Sequence, residues 1–248
     1  MSRALRLPPP FNWLYTLYAL LVFVPLGLLA LLGAVLLPTL HLRRNTAHHI
    51  ARAWLWLAGM RLDIVHPDYL PDGQCVVVAN HASYLDGFVL MAALPPRFGF
   101  VIKREVSRVP LAGLLLARIG SELVERFDRH KGASDARRVV RSAGNGHSFV
   151  FFPEGTFAHQ PGLLKFHSGA FMTAARAGCP VVPCVIRGTR DALPAKLPRL
   201  LPARLEVQFL PPLPVAQGGD DQASSTLRDR ARQDILAALG EPDLSSAA

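Results

Sequence analysis

Two short stretches carry side chains whose types and spacing could do chemistry. The first is Asn80-His81-Ala82-Ser83-Tyr84-Leu85-Asp86, which follows the apolar run CVVVA at 75–79. A histidine there can act as a general base near neutral pH. A carboxylate bonded to its other ring nitrogen would fix the tautomer and stabilise the imidazolium. Residues five apart do not share a face of an uninterrupted helix, so the backbone must turn between His81 and Asp86 for them to meet. Taken alone, the spacing fits a polar helix N-terminus better than a catalytic pair. The second stretch is Phe151-Phe152-Pro153-Glu154-Gly155-Thr156, again closing an apolar run. A carboxylate and a hydroxyl on a turn stiffened by Pro and Gly suit the grip of a polar ligand group. The same residues also describe a tight strand-exit turn capped by Glu154.

Ligands gather at the carboxyl ends of strands in open α/β sheets, and the flanking sequence supplies such strands. From residue 62 onward short apolar segments alternate with helical ones. Strands are expected at 75–79, 98–102, 122–125, 148–152, 181–186 and 204–209. Helices are expected up to Ala93, over 111–119, over 134–143 with Ser134 as N-cap, over 168–177, and over 225–239. This alternation predicts an α/β fold, a largely parallel sheet flanked by helices.

The N-terminal region is of another kind. Residues 7–42 contain no Asp, Glu, Lys or Arg, and 14–37 are almost wholly apolar. About 20 helical residues cross a bilayer core, so the run is long enough to span with tilt. A secretory signal would have an apolar region of only about 7–15 residues. Trp13, Tyr15 and Tyr18 cluster at one end, as interfacial aromatics do. Pro25 and Gly27 mark a place for a kink or a division into two helices. Arginines stand on both flanks, leaving a single span and a re-entrant pair both open. In the next helix Ile50, Trp54 and Leu57 recur at i, i+4, i+7, which suits lying on a membrane or packing on a domain.

A net charge of +9 and a pI near 10.2 favour anionic partners. Beside the apolar run, membrane lipids are the economical choice. No nucleic acid is expected, because nothing interleaves aromatics with basic residues and no zinc-finger spacing occurs. Cys75, Cys179 and Cys184 are an odd number and read as buried thiols in a reducing compartment.

Taken together the two stretches resemble the bacterial lysophospholipid acyltransferases, typified by 1-acylglycerol-3-phosphate acyltransferase. Four ordered blocks over about 50–210 carry the resemblance: Asn80-His81…Asp86; Lys103-Arg104-Glu105 leading to Glu125-Arg126; Phe152 to Thr156; and Val181-Val182-Pro183. The resemblance implies membrane-associated helices at 1–61, an acyltransferase α/β domain at 62–240 and a disordered tail at 241–248. It implies transfer of an acyl chain from acyl-CoA or acyl-acyl carrier protein to a lysophospholipid, at the cytoplasmic face of the inner membrane, with no metal and no resident cofactor. His81 would be the base, Asp86 its partner and Lys103 an oxyanion stabiliser. Arg126 would grip an anionic headgroup, and Asn80, Glu154, Gly155, Thr156 and Lys165 would line the substrate.

The chain departs from the family pattern at Phe157, where an arginine is usual, and more mildly at Glu125, where aspartate is usual. A phenyl ring cannot replace a charge-assisted bond of about 1.5–3 kcal/mol. Either another cation compensates, with His159, Lys165, His167 and Arg187 nearby in sequence, or the acceptor differs. Three other readings compete. Hydrolysis by water or Ser83 lacks a Gly-x-Ser-x-Gly elbow. A non-catalytic lipid-binding protein would not need either polar stretch. A metal held by His81 and Asp86 with His159 or His167 lacks ligand spacing.

Overall fold

A computed structural model describes residues 9–109, 111–125, 129–195, 199–215 and 221–245. Its sheet comprises β1 (Leu62–Val65), β2 (Val76–Ala79), β3 (Phe98–Lys103), β4 (Glu122–Val124), β5 (Ser148–Phe151), β6 (Val181–Arg187) and β7 (Leu205–Phe209). The order is β1-β7-β6-β2-β5-β3-β4, with every pairing parallel except β6 with β7. The sheet is therefore mixed but mostly parallel, as expected. β1 is an additional edge strand that periodicity did not resolve, because its four residues are all half-buried.

The helices are α1 (Pro9–Leu36), α2 (Leu40–Leu57), α3 (Asp86–Ala93), α4 (Ala112–Arg118), α5 (Arg129–Gly144), α6 (Gly169–Ala177), α7 (Thr189–Ala192) and α8 (Asp221–Leu239). They cover both faces of the sheet. Along β2, Val77 and Ala79 point to a core shared with Trp54 and Leu55 of α2 and Val89 and Leu90 of α3. Val76 and Val78 point the other way, to Phe171 of α6 and Ile235 of α8. This two-faced burial is why the strand reads as an unbroken apolar run.

Two expectations about helices give way. Helix α5 starts at Arg129, so Ser134 lies inside it and caps nothing. Its first turn is fixed by packing: Gly132 passes so near the Glu125 carbonyl that a Cβ there would sit 2.8 Å away. Nor is there a division at Pro25 or Gly27, since α1 is one helix with Pro25 inside. Contacts at both ends hold it in line. Tyr15 donates to the Ala58 carbonyl (2.8 Å), Thr16 donates to that of Leu200 (3.1 Å), and Ala34 packs with Ala47 and Ile119.

Helix α2, capped by Thr39, turns its buried side to the domain through Arg44, Ala47, Ala51, Trp54 and Leu55. Arg44 is a buried cation. It donates to the carbonyls of Ile119 (2.8 Å) and Gly120 (3.2 Å), just past the C-terminal end of α4 where helix carbonyls favour positive charge, and to that of Arg97 (2.7 Å) before β3. Burial pushes its pKa below the usual value. A Cβ at Gly99 or Gly120 would lie 3.0 or 2.9 Å from its guanidinium, so both glycines make room for it.

At the other terminus, residues 241–245 are ordered where a disordered tail was expected. Leu163 donates to the Pro242 carbonyl and Leu244 to that of Leu163, both at 3.0 Å, and Arg232 pairs with Asp243 (2.6 Å). Short polar sequence hides these partners, which lie far away in the chain. Residues 246–248 fall outside the described residues.

Candidate active site

The first chemical stretch sits at the carboxyl end of central strand β2. Asn80, 3 % exposed, donates to the Ile186 carbonyl (3.1 Å) and accepts from the Ile186 N–H (2.7 Å). Its amide thus ties β2 to β6. The chain then turns over residues 82–85, and Asp86 opens α3. The required turn is thereby made.

Asp86 is fully buried, and its Oδ2 accepts three hydrogen bonds: from Ala82 N (2.6 Å), from Ser83 N (2.8 Å) and from His81 Nδ1 (2.8 Å). Backbone donors at a helix start stabilise a carboxylate. An ionised Asp86 in turn places the imidazole proton on Nδ1 and leaves Nε2 as an acceptor. The His81 side chain is 19 % exposed, so the ring reaches the surface while its partner does not. Asp86 Oδ1 is buried without a hydrogen-bond partner among the described residues. Ser83 Oγ donates to the Leu193 carbonyl (3.0 Å) and accepts from Leu85 N (3.3 Å). Its hydroxyl hydrogen is directed to Leu193, and no hydrogen bond joins Ser83 Oγ to His81 among the described residues.

Two aromatic rings pack on the histidine, and a third packs on one of them. Phe152 stacks on it with centroids 4.4 Å apart, and Phe157 meets it edge-on at 4.8 Å. Tyr84 meets Phe157 at 4.9 Å. The residue that departs from the family pattern thus packs directly on His81. Phe152 and Tyr84 stand inside the two chemical stretches, but their ring contacts are not foreseen from sequence, since neither side chain carries a group for the reaction.

The second stretch leaves β5, the neighbour of β2. Glu154 is 3 % exposed, with Oε1 accepting from His81 N (2.6 Å) and Oε2 from Leu164 N (2.8 Å). Both oxygens face backbone donors, so Glu154 braces the His81 main chain. Burial pushes its carboxyl up to about 7, against the opposing pull of those two N–H groups. Gly155 follows at φ +75°, a backbone region that favours glycine. Thr156 and Lys165 are exposed on the same loop.

Lys103 ends β3, two strands from β2 at the same sheet edge, and is half-buried. Arg126 lies outside the described residues. Its neighbour Glu125 donates its N–H to Asp135 (2.9 Å). Asp135 also accepts from Arg104 (2.7 and 2.9 Å) and from Arg138 (2.7 Å). Burial raises the Asp135 carboxyl, but Arg104, the Glu125 N–H and Arg138 outweigh it and hold the pKa down at about 2. Of the nearby cations, Arg187 is engaged by Glu206, Gln208 and the Ala238 carbonyl on the β7–α8 side. His159 instead lines a cavity of about 630 Å³ together with Arg190, a residue the sequence did not single out.

Comparison with known proteins shows the family. The family model described as Acyltransferase matches residues 61–187. The chain is 32 % identical over 168 residues to the 1-acyl-sn-glycerol-3-phosphate acyltransferase of Escherichia coli (strain K12), covering 67 % of this chain and 68 % of that one. It is 33 % identical over 157 residues to a chloroplastic 1-acyl-sn-glycerol-3-phosphate acyltransferase of Brassica napus, covering 61 % of this chain. It spans 45 % of that relative's length, and 66 % of a human relative named 1-acyl-sn-glycerol-3-phosphate acyltransferase alpha. The crystal structure of the 1-acyl-sn-glycerophosphate acyltransferase PlsC from Thermotoga maritima superposes with a TM-score of 0.77 at 20 % identity. The superposition covers 92 % of this chain and 95 % of that one, and it shows the same fold. With the matched region running from β1 through β6 and enclosing the whole His81 site, the chain belongs to the Acyltransferase family.

Proposed function

We propose that this protein moves a fatty acyl chain from an acyl thioester, of CoA or of acyl carrier protein, to the hydroxyl of a lysophospholipid of the 1-acylglycerol-3-phosphate class. The observation that carries the reading is the His81 Nδ1–Asp86 Oδ2 bond of 2.8 Å, with the carboxylate buried and the ring reaching solvent. In the reaction, Nε2 takes the proton of the acceptor hydroxyl as its oxygen attacks the thioester carbonyl. Asp86 stabilises the resulting imidazolium. As the tetrahedral intermediate collapses the C–S bond breaks, and the departing thiolate recovers the proton from His81. Lys103 or nearby N–H groups stabilise the oxyanion, and Arg126 holds the headgroup phosphate. The scheme uses no metal and no resident cofactor.

Phe157 favours a second reading, in which the acceptor is a lysolipid other than lysophosphatidic acid. Its ring stands against His81 at the position where a phosphate-binding arginine is expected.

The membrane reading rests on α1. Residues 11–36 form a segment apolar and long enough to cross a bilayer, and only 17 % of its most apolar window is buried. Yet α1 touches the domain near both ends, through Tyr15 and Ala34. A helix spanning the bilayer would carry one end away from the domain. We therefore read α1 and α2 as a hairpin that embeds in one leaflet, and place the domain at the cytoplasmic face of the inner membrane.

The test is acyl transfer by purified full-length protein in detergent micelles. Acyl-CoA and acyl-acyl carrier protein serve as donors, and a panel of lysolipids as acceptors. Transfer that His81→Ala abolishes, in a variant that stays folded, supports the reading. Undiminished transfer by that variant refutes the base, and no transfer with any pair leaves a lipid-binding role.

A further inference from the structure

The loop after β5 is fastened from the far end of the chain. Arg190 of α7 donates to the carbonyls of Ala158 (3.2 Å) and Gln160, and pairs with Glu241 (3.1 Å). Glu241 Oε2 accepts from the N–H of Gly162 (2.6 Å). Gly162 has φ +143°, and a side chain there would collide with Leu244. Next in sequence, the Leu163 carbonyl accepts from Leu244 N (3.0 Å) and from Arg232 (2.9 Å), and the Leu164 carbonyl accepts from Arg232 (3.0 Å). The Leu164 N–H is the donor to Glu154, whose other oxygen holds the His81 N–H. An unbroken series of bonds thus runs from residues 241–244 to the backbone of the histidine.

We propose that Glu241 is a positioning residue for the His81 site: with Arg190 it latches the 158–164 loop, so that Leu164 holds Glu154 and Glu154 holds His81. This rests on the acyl-transfer reading for its kinetic consequence but not for its geometry. Glu241 touches no reacting atom. It acts by fixing two anchors. The first is the second hydrogen bond of Glu154, which keeps the carboxylate aimed at the His81 N–H. The second is the start of the loop at Ala158, held by Arg190 next to Phe157, which packs on the imidazole. A small displacement near reacting atoms costs up to about a hundredfold in rate.

The experiment uses the full chain in detergent micelles with two readouts, hydrogen–deuterium exchange and steady-state acyl transfer to whichever lysolipid of the acceptor panel the parent protein uses best. In Glu241→Ala, exchange is expected to rise at 158–166 and also at 80–86, and kcat to fall by about ten- to a hundredfold at unchanged KM for the acyl donor. Glu241→Gln keeps an oxygen for the Gly162 N–H and recovers most of both. Arg190→Lys keeps the charge but cannot bridge both carbonyls and Glu241, so it gives a partial form of the same response. Glu206→Ala breaks the Arg187 pair between β6 and β7 and is the structural control. The latch is refuted if Glu241→Ala leaves exchange at 80–86 unchanged, or if Glu206→Ala reproduces both effects at an equal loss of melting temperature. Should the parent protein transfer no acyl chain, the functional reading fails, and the exchange data alone still decide the latch.

Discussion

Asp86→Asn isolates the charge of the His81 partner from its geometry. Oδ2 accepts two backbone N–H groups and the imidazole, whereas Oδ1 is buried without a partner among the described residues. An asparagine amide can meet three donors only with its oxygen at the Oδ2 position, which puts its NH2 where Oδ1 stands. The variant therefore keeps the Nδ1–H tautomer and the turn, and loses only the negative charge. With charge centres about 4 Å apart and an effective dielectric of about 20, carboxylate and imidazolium attract by about 4 kcal/mol. At about 1.4 kcal/mol per tenfold, that predicts a fall in kcat of about a thousandfold. The melting temperature should change little. In Asp86→Ala the Ala82 and Ser83 N–H groups lose their buried acceptor, at about 1–3 kcal/mol each, so stability falls as well. Single-turnover acyl transfer gives the rate, thermal unfolding the stability, and ¹⁵N shifts of the imidazole the tautomer. A kcat for Asp86→Asn within tenfold of the parent, with the tautomer unchanged, would refute the reasoning.

Other perturbations probe different levels of the structure. Phe157→Arg restores a phosphate-binding side chain and should shift acceptor preference toward lysophosphatidic acid by about ten- to a hundredfold, as one charge-assisted bond would. A competition assay between lysolipids reads it. Arg44→Met leaves three carbonyls without their donor and should lower stability by several kcal/mol, since each unmet buried group costs about 1–3 kcal/mol. Denaturant unfolding in detergent checks this. Glu154 has a folded pKa raised from 4.5 to about 7, so its contribution to stability is full below 4.5 and is lost as pH rises through about 7. Glu154→Gln should flatten that part of the stability–pH curve, measured by unfolding at a series of pH values.

The chemistry was legible where side chain and strand end coincide. CVVVA announces a strand buried on both faces, and the polar residues after it stand at a sheet edge, so His81 and Asp86 could be placed from sequence. Asn80 and Glu154 were recognisable as special, but what they bond to was not. Their partners are main-chain groups at Ile186, His81 and Leu164, and no side-chain pattern records a backbone N–H. Arg44 resembles any other cation of its helix until Gly99 and Gly120 are brought beside it. Glu241 meets Arg190 across 51 residues of chain, in a segment whose composition reads as a tail. Ser134 shows the reverse error, a residue of good capping type placed inside a helix by packing at Gly132.

Helix α1, about 42 Å long from its 28 residues and fastened to the domain near both ends, has a kinetic consequence in the membrane reading. An enzyme lying in a leaflet meets its lipid acceptor by diffusion within a plane, while its donor arrives from the aqueous volume. The two substrates are then counted on different scales. Saturation by the acceptor follows its mole fraction in the surface, and diluting that surface with inert lipid at constant bulk acceptor slows the reaction. Saturation by the donor follows ordinary molarity and is indifferent to that dilution.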